Sequence, residues 1–453
     1  GGGIAASFGV DLQVIDSEIS NNDSDDSSGG GIFARFEAEN VLIQNSTISD
    51  NFAFAKGGGI YVEGGVPTSI ENSVVSGNST RSTFEGNGSS DGGGGIYIEP
   101  PGQIIRSDSE AQPPEASLIV DSTINENTSA GIGGGILVSG GCCGLLEVFD
   151  STISNNGAQN GGGIFNNSFT QLENVTISSN YAHFSGGGVY NVREMDMNHV
   201  TVYRNEADNC CSAGGIFDDS GDTVEYQNSI IAKNTFWDCE GTELSLGNNL
   251  LGDDTCDDSG DDDISPGTDS GNDVDPGLAP LRLNGGPTRT HELLPHSLAI
   301  DGASGGEECP AFDQRGLARF TGLECDIGAY EVGSFPVEEP ETEVGGVVVT
   351  KKALCRRQNP TILGTLGPDR LVGTSGVDVI QGLDANDVIL GKGGDDIICG
   401  SLGNDVMKGQ GGDDFIKGLR GDDKNRGGPG TDRCIRGPGE DKFFSCENVP
   451  RSK

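Results

Sequence analysis

The chain has 453 residues, 75 of them glycine, with 33% hydrophobic and 6% aromatic residues and a formal net charge of −43. It holds no run of 18 apolar residues for a membrane-spanning helix and no Gly-X-Y period for collagen, and its charge has the wrong sign for nucleic-acid phosphates. Glycine at this density weakens helices by ~1 kcal/mol per position, which leaves a disordered acidic chain or a repeat protein with glycines at fixed turns.

The repeat is visible from the first residues. Gly-Gly-Gly-Ile, or a close variant, ends at Ile4, Ile32, Ile60, Ile96, Ile136, Ile164, Val189 and Ile216, in steps of 28, 28, 36, 40, 28, 25 and 27 residues. Between these lies a second signature, a β-branched residue followed three positions later by asparagine: Ile19/Asn22, Ile48/Asn51, Val75/Asn78, Ile124/Asn127, Ile153/Asn156, Ile177/Asn180, Val202/Asn205 and Ile231/Asn234. Disorder does not require such a fixed offset. Short apolar runs alternating at period two are strands, and strands this short on so long a period suit a parallel solenoid better than hairpins. Equivalent side chains then stack about 4.8 Å apart. The spacing predicts an all-β fold: a right-handed parallel β-helix of about eight coils over residues 1–234, roughly 40 Å long, with aliphatic stacks inside and an asparagine ladder at one turn. Residues 79–91 and 99–114 read as loop excursions. The chain opens inside a repeat, so a fragment or processed product is expected, and the missing signal peptide says nothing against secretion.

The pattern stops near residue 235. Ten aspartates between Asp253 and Asp275 read as a solvated loop without EF-hand spacing. After it come Asp275-Pro276-Gly277-Leu278, Leu283-Asn284-Gly285-Gly286-Pro287-Thr288-Arg289-Thr290-His291, Ser297-Leu298-Ala299-Ile300-Asp301, Asp313-Gln314-Arg315-Gly316 and Cys325-Asp326-Ile327-Gly328-Ala329-Tyr330-Glu331. This string resembles the choice-of-anchor Q family of bacterial surface β-helix proteins. The resemblance covers residues 1–333 in general pattern; it implies secretion or surface display and no catalytic activity. His291, His296, Asp301, Asp313 and Arg315 could be gathered into an active site, but the favoured reading of 235–335 is an acidic loop plus a segment that caps the open end of the solenoid. Residues 336–354 read as an acidic, proline-containing linker.

A second period follows in 355–447. Glycine recurs every ninth residue from Gly364 to Gly427, and aspartate stands five residues later at Asp369, Asp378, Asp387, Asp396, Asp405, Asp414, Asp423, Asp432 and Asp441. An apolar position follows two residues on: Leu371, Ile380, Ile389, Ile398, Met407 and Ile416, then Asn425, Cys434 and Phe443. The unit G-x-x-G-x-D-x-U-x resembles the hemolysin-type RTX calcium-binding nonapeptide over residues 364–444, which implies a calcium-binding turn and a short strand in each repeat. Two units make an 18-residue coil of a parallel β-roll. A calcium ion between stacked turns takes an aspartate from each, plus backbone carbonyls, within the six to eight oxygens that calcium uses. The expected ligands are those nine aspartates with Gly382, Gly391, Gly394, Gly400, Gly403, Gly409 and Gly412. Pairs run from Asp369/Asp387 to Asp423/Asp441, so several ions, about seven at most, are expected. Pro368 and Val377 interrupt the polar fifth position, Ala385 replaces a turn glycine, and Asn425 sets a polar group at an inward position. A core of one aliphatic per nonapeptide is thin, so folding on calcium is expected.

Residues 1–350 hold 55 acidic and 11 basic side chains, and residues 351–453 hold 15 and 16. Twelve cysteines without CxxC read as disulfides of an oxidising compartment. Cys239–Cys256, Cys309–Cys325 and Cys434–Cys446 are the local pairs; Cys142, Cys143, Cys210, Cys211, Cys355 and Cys399 are left unassigned. The functional expectation is a secreted or cell-surface calcium-binding structural or adhesion protein, with extracellular glycans or proteins as partners, and neither nucleic acid nor a transmembrane segment. The alternative is a secreted polysaccharide lyase, hydrolase or epimerase on a β-helix scaffold. Uronate polymers need basic residues to neutralise them, and residues 1–350 offer few. A neutral-glycan hydrolase with two carboxylates stays open.

Overall fold

The Gly-Gly-Gly-Ile segments pair with one another in parallel and in register, Ile4 with Ile32, Ile32 with Ile60, and so on to Ile216 with Cys239. The computed structural model describes residues 2–81, 91–100, 116–140, 144–332, 343–344, 347–348 and 361–446, less 8, 26–27, 36–37, 39, 209–211, 220–222, 258, 261, 267–272, 304–309, 311, 318, 320–324, 365–367, 384–385, 403, 421–422 and 436–441. It divides into two units, one of residues 1–102 with 115–336 and one from Val337 onward with 103–114.

The first unit is a parallel β-helix. Three sheets of nine strands run its length, and a fourth of seven short strands covers one corner. Each coil contributes one strand to each long sheet, as Ile32–Ala34, Asn40–Gln44 and Thr47–Ser49 do. Alternate side chains point inward, typically two from a strand of the first or second sheet, as Ile96 with Ile98 and Val41 with Ile43, and one from the third. The main columns are Ile32, Ile60 and Ile96 in the first sheet, Ile43, Ile70 and Ile119 in the second, and Ile48, Val75 and Ile124 in the third, all fully buried. Each such side chain contributes roughly 1.5–3 kcal/mol relative to leaving it in water. On the outer face of the first sheet the paired positions are Phe33, Tyr61, Tyr97, Leu137, Phe165, Tyr190 and Phe217. Neighbouring rings there stand 4.9–5.3 Å apart, which is the strand spacing expressed in side chains. The first excursion begins later than the sequence suggests, because Ser79–Thr80 still pairs with Phe52–Ala53; residues 82–90 and 101–115 lie outside the described ones.

The asparagines form the expected ladder. Asn78 donates through both its backbone N–H and its Nδ2 to Asn127 Oδ1, each at 3.0 Å, and Asn127 does the same to Asn156. The second Nδ2 proton returns to the carbonyl of the preceding coil, as from Asn127 to Val75 at 2.9 Å. The glycines fit this ladder closely: a Cβ on Gly31 would stand 2.9 Å from Asn51 Nδ2 and 2.7 Å from the Gly59 carbonyl oxygen. A second ladder, of serines, runs between the second and third sheets, with Ser46 N donating to Ser73 Oγ and Ser73 N to Ser122 Oγ.

Each long sheet has nine strands because Cys239–Glu240, Glu243–Ser245 and Leu250–Leu251 add a coil that bears neither signature. The acid-rich segment is the cap of this coil, not a solvated loop. Asp253 accepts from Asp238 N, Asp257 from Ser245 N and Asp263 from Asn249 N, at 2.8–2.9 Å, while the Ile264 carbonyl accepts from Leu251 N. These side chains satisfy strand N–H groups that have no further coil to pair with. Disulfide Cys239–Cys256 fastens the cap.

Residues 275–331, expected over the end, lie instead along the outer side of the third sheet. Thr288 donates to Asp150 O, Thr152 to Arg289 O and Ala329 N to Thr201 Oγ1. Leu293, Ala299, Ala303 and Ile327 pack on Tyr203, Ile230 and Leu250. The reason is chemical: Thr152, Thr176 and Thr201 put hydroxyls on that face, and Gln314 bridges the first two. The supposed active-site set is dispersed. Asp313 holds Arg315 in a buried ion pair, His291 bridges Ser178 Oγ and the Ala279 carbonyl, and His296 and Asp301 are exposed. Cys309 lies outside the described residues, as do Cys142, Cys143, Cys210, Cys211 and Cys355.

Burial pushes His291 down to about 4, from an unfolded value near 6.5. The folded chain therefore binds the proton less well than the unfolded one, and this site's contribution is present above pH 6.5 and is lost as pH falls towards 4. Thermal melts of the wild type and of His291→Gln should thus diverge over that window, with the wild type losing ground by roughly 3 kcal/mol; parallel pH profiles would contradict this.

Candidate metal centre

The second unit contains two parallel sheets of five strands, one from Ile362–Leu363 to Arg433–Ile435 and the other from Arg370–Val372 to Lys442–Phe444. Partners are 18 residues apart throughout, as Ile380 with Ile398 and Ile389 with Met407. Ile380, Ile389, Ile398, Met407, Ile416 and Cys434 form the shared core. Cys434–Cys446 is a disulfide, as expected.

Stacking at i and i+18 places the aspartates over one another. Each uses Oδ1 in a backbone bond: Asp387 Oδ1 accepts from Asp369 N, Asp396 from Asp378 N, Asp405 from Asp387 N, Asp414 from Asp396 N, Asp423 from Asp405 N and Asp432 from Asp414 N, at 2.7–3.0 Å. The other oxygen points elsewhere. Oδ2 of Asp396, Asp405 and Asp414 is buried and makes no hydrogen bond. Burial, with the stacked neighbour's charge, pushes Asp396 up to about 6, Asp405 to about 7 and Asp414 to about 6. Asp378 goes the other way, held low by hydrogen bonds from Thr374.

The turn glycines complete the arrangement. A Cβ on Gly391 would collide with Asp396 Oδ2 and stand 2.8 Å from the Gly409 carbonyl oxygen; one on Gly400 would collide with Asp405 Oδ2 and stand 2.9 Å from the Gly418 carbonyl oxygen. Carboxylate and carbonyl oxygens therefore converge on the space that the missing side chain leaves. Gly394, at φ +105°, and Lys392, at φ +87°, supply the left-handed bends that turn the chain there. Asp395, Asp413 and Thr431 form an outer column, in which Asp395 Oδ1 accepts from Asp413 N and Asp413 Oδ1 from Thr431 N. A hard, oxygen-only donor set with buried, unneutralised carboxylates fits calcium.

Of the expected ligands, Asp387, Asp405 and Asp423 are buried in one column, with Asp369 at its start half-buried, and Asp378, Asp396, Asp414 and Asp432 are buried in the other. Gly382 and Gly409 line the row as Gly391 and Gly400 do, and Gly412 sits in the turn at φ +124°. Asp441, Gly403 and Ala385 lie outside the described residues.

Asn425 is the flaw in the core. It stands between Met407 and Phe443, fully buried, with neither amide atom hydrogen-bonded. Asn425→Ile should stabilise the last coil by roughly 1–3 kcal/mol and lower the calcium concentration at which strand circular dichroism appears; an unchanged midpoint would count against this account.

A right-handed beta helix region family model matches residues 1–177. The RTX calcium-binding nonapeptide repeat (4 copies) matches residues 363–398 and 400–434. The chain thus carries a right-handed β-helix region followed by RTX calcium-binding repeats. No curated protein matches. Two solved structures are distantly similar, both of the PL6 family alginate lyase AlyGC. One is an arginine-to-alanine mutant at 11% identity and TM-score 0.16, covering 97% of this chain and 76% of that one. The other is at 12% identity and TM-score 0.14, covering 98% and 77%. Likeness at that level carries no argument.

Proposed function

We propose that the chain is a calcium-stabilised structural or adhesion protein acting outside the cell, secreted or held at its surface, of the choice-of-anchor Q type. In this reading residues 1–234, with the cap and flank of 235–335, form a rigid display scaffold. Residues 336–354 are a linker, and residues 355–447 fold on calcium held by the aspartate row from Asp369 to Asp441 with the turn glycines Gly382, Gly391, Gly394, Gly400, Gly403, Gly409 and Gly412. Its partners are extracellular glycans or proteins. The observation that carries this reading is the set of buried Oδ2 atoms at Asp396 and Asp414 in one column and Asp405 in the other, which converge with glycine carbonyls and make no hydrogen bond. Calcium is abundant outside cells and scarce inside, so a module that needs it is switched on by export. Arg315 and Arg319, the two buried arginines of the flank, are committed to Asp313 and Glu331; neither is available to neutralise a uronate polymer.

The test is calorimetric titration of the full chain with calcium, followed by a binding screen on extracellular glycans with and without calcium. Several bound ions and calcium-dependent retention without cleavage are expected. Polysaccharide turnover abolished by a single carboxylate substitution would overturn the reading in favour of an enzyme.

A further inference from the structure

Each central strand of the roll follows a stacked aspartate, and its core residue stands two places after that aspartate, as Ile398 after Asp396 and Met407 after Asp405. The residues on either side of the core position therefore face outward. In the sheet that starts at Ile362 the outward residues before the core position include Val379, Ile397 and Phe415, all buried. In the sheet that starts at Arg370 the outward places hold Arg370, Lys424 and Lys442 before the core position and Lys408 and Arg426 after it. Arg370, Lys424, Arg426 and Lys442 are exposed and Lys408 is half-buried. Among the described residues, none of these five cations makes an ion pair.

This bare cationic face stands in a chain of net charge −43. Of the 15 acidic side chains in residues 351–453, nine are the aspartates of the two columns; once metal holds those, six remain against 16 basic ones. Calcium therefore does two things in the reading proposed above, on which this inference rests. It folds the module, and it removes the charges that would oppose the face. An unopposed row of Lys and Arg attracts anions.

The layout says which anions. The cations follow the stacking axis with strands about 4.8 Å apart, in two columns roughly 6.6 Å apart. This is a track for an extended polymer rather than a cup for one small ion. An anionic bilayer would need apolar side chains among the cations, to sink beneath the headgroups. Here Val372, Val388 and Leu390 gather on the first two strands, whereas four of the five cations lie on the last three. Phe444, 51% exposed, stands beside those four and gives one ring for the C–H face of a sugar. We propose that this face binds a linear acidic polysaccharide, its carboxylates or sulfates on Lys408, Lys424, Arg426 and Lys442.

The test offers the full chain, in calcium-containing buffer, to immobilised dextran sulfate and to uncharged dextran. The sulfated polymer should retain the chain, the uncharged one should not, and added salt should release it. Arg426→Glu and Arg433→Glu make the same change in net charge within the same module, but Arg433, also exposed, belongs to the other sheet. The first should weaken binding at least roughly tenfold and the second less than about twofold. Calcium titration of both variants by calorimetry checks that the roll still folds. Equal losses in the two would mean that net charge and not this face does the binding, and would overturn the proposal. So would tighter binding of phosphatidylglycerol vesicles or of duplex DNA, which would mark a membrane or a nucleic-acid surface. Calcium binding without retention on dextran sulfate would overturn this inference alone; no calcium binding would overturn the proposed function with it.

Discussion

Chelating calcium in the full chain should melt the strands of residues 361–446 and leave the nine-coil unit intact. The two units differ in what holds them. A coil of the β-helix buries a full set of inward side chains, such as Ile32, Ala34, Val41, Ile43 and Ile48; a coil of the roll buries two, such as Ile398 and Met407. Against that thin core stand stacked carboxylates. Asp396, Asp405 and Asp414 titrate near 6–7 in the metal-free fold. At neutral pH, after allowance for their partial exposure, holding them ionised costs of the order of a few kcal/mol, a large share of the stability of so small a module. A divalent cation reverses the sign of that term. Hydrogen exchange resolved by peptide should show protection over 361–446 only with calcium, and Asp405→Asn should raise the calcium midpoint roughly tenfold. Full protection after chelation would sink both the prediction and the calcium-dependent part of the proposed function.

The second large effect belongs to the ladder. Asn127→Ala should destabilise the β-helix by about 3–5 kcal/mol, the sum of several buried groups left unpaired. Asn127 is fully buried. Its loss strips the acceptor from Asn78 N and Asn78 Nδ2 and the donor from the Val75 carbonyl. Asn22 is a control built into the molecule. It is the first described rung, half-buried, and donates to Asn51, so Asn22→Ala should cost about 1 kcal/mol. Thermal melts of the two variants separate a true ladder from a row of independent turn residues, for which the two losses would be alike.

The aliphatic columns, the asparagine row and the 18-residue register were legible because each coil repeats one environment, and a repeated environment leaves a period in the sequence. Where the environment occurs once, no period marks it. The ninth coil has no partner beyond it, so it needs neither the glycine corner nor its own rung. Asp253, Asp257 and Asp263 cap it with the same residue type that a solvated loop would use. Similarly, Asp313 and Arg315 were visible as a charged pair, but the threonines that draw their segment onto the third sheet look like ordinary strand residues. In the roll the aspartate positions could be read off; the division of labour between Oδ1 and Oδ2 could not, because it depends on the backbone N–H of the coil before.

The asparagine ladder also has a direction. From Asn22 to Asn234 each amide donates forward, towards the next coil. The side-chain dipoles therefore align rather than cancel, and their positive ends all face the same way. Such a column can be continued by any residue that both accepts and donates, but it closes on one that only accepts. Asp238, a carboxylate at the positive end of the row, is that terminator. The number of coils is thus not written into any single coil; it is fixed by where along the chain the first acceptor-only rung falls.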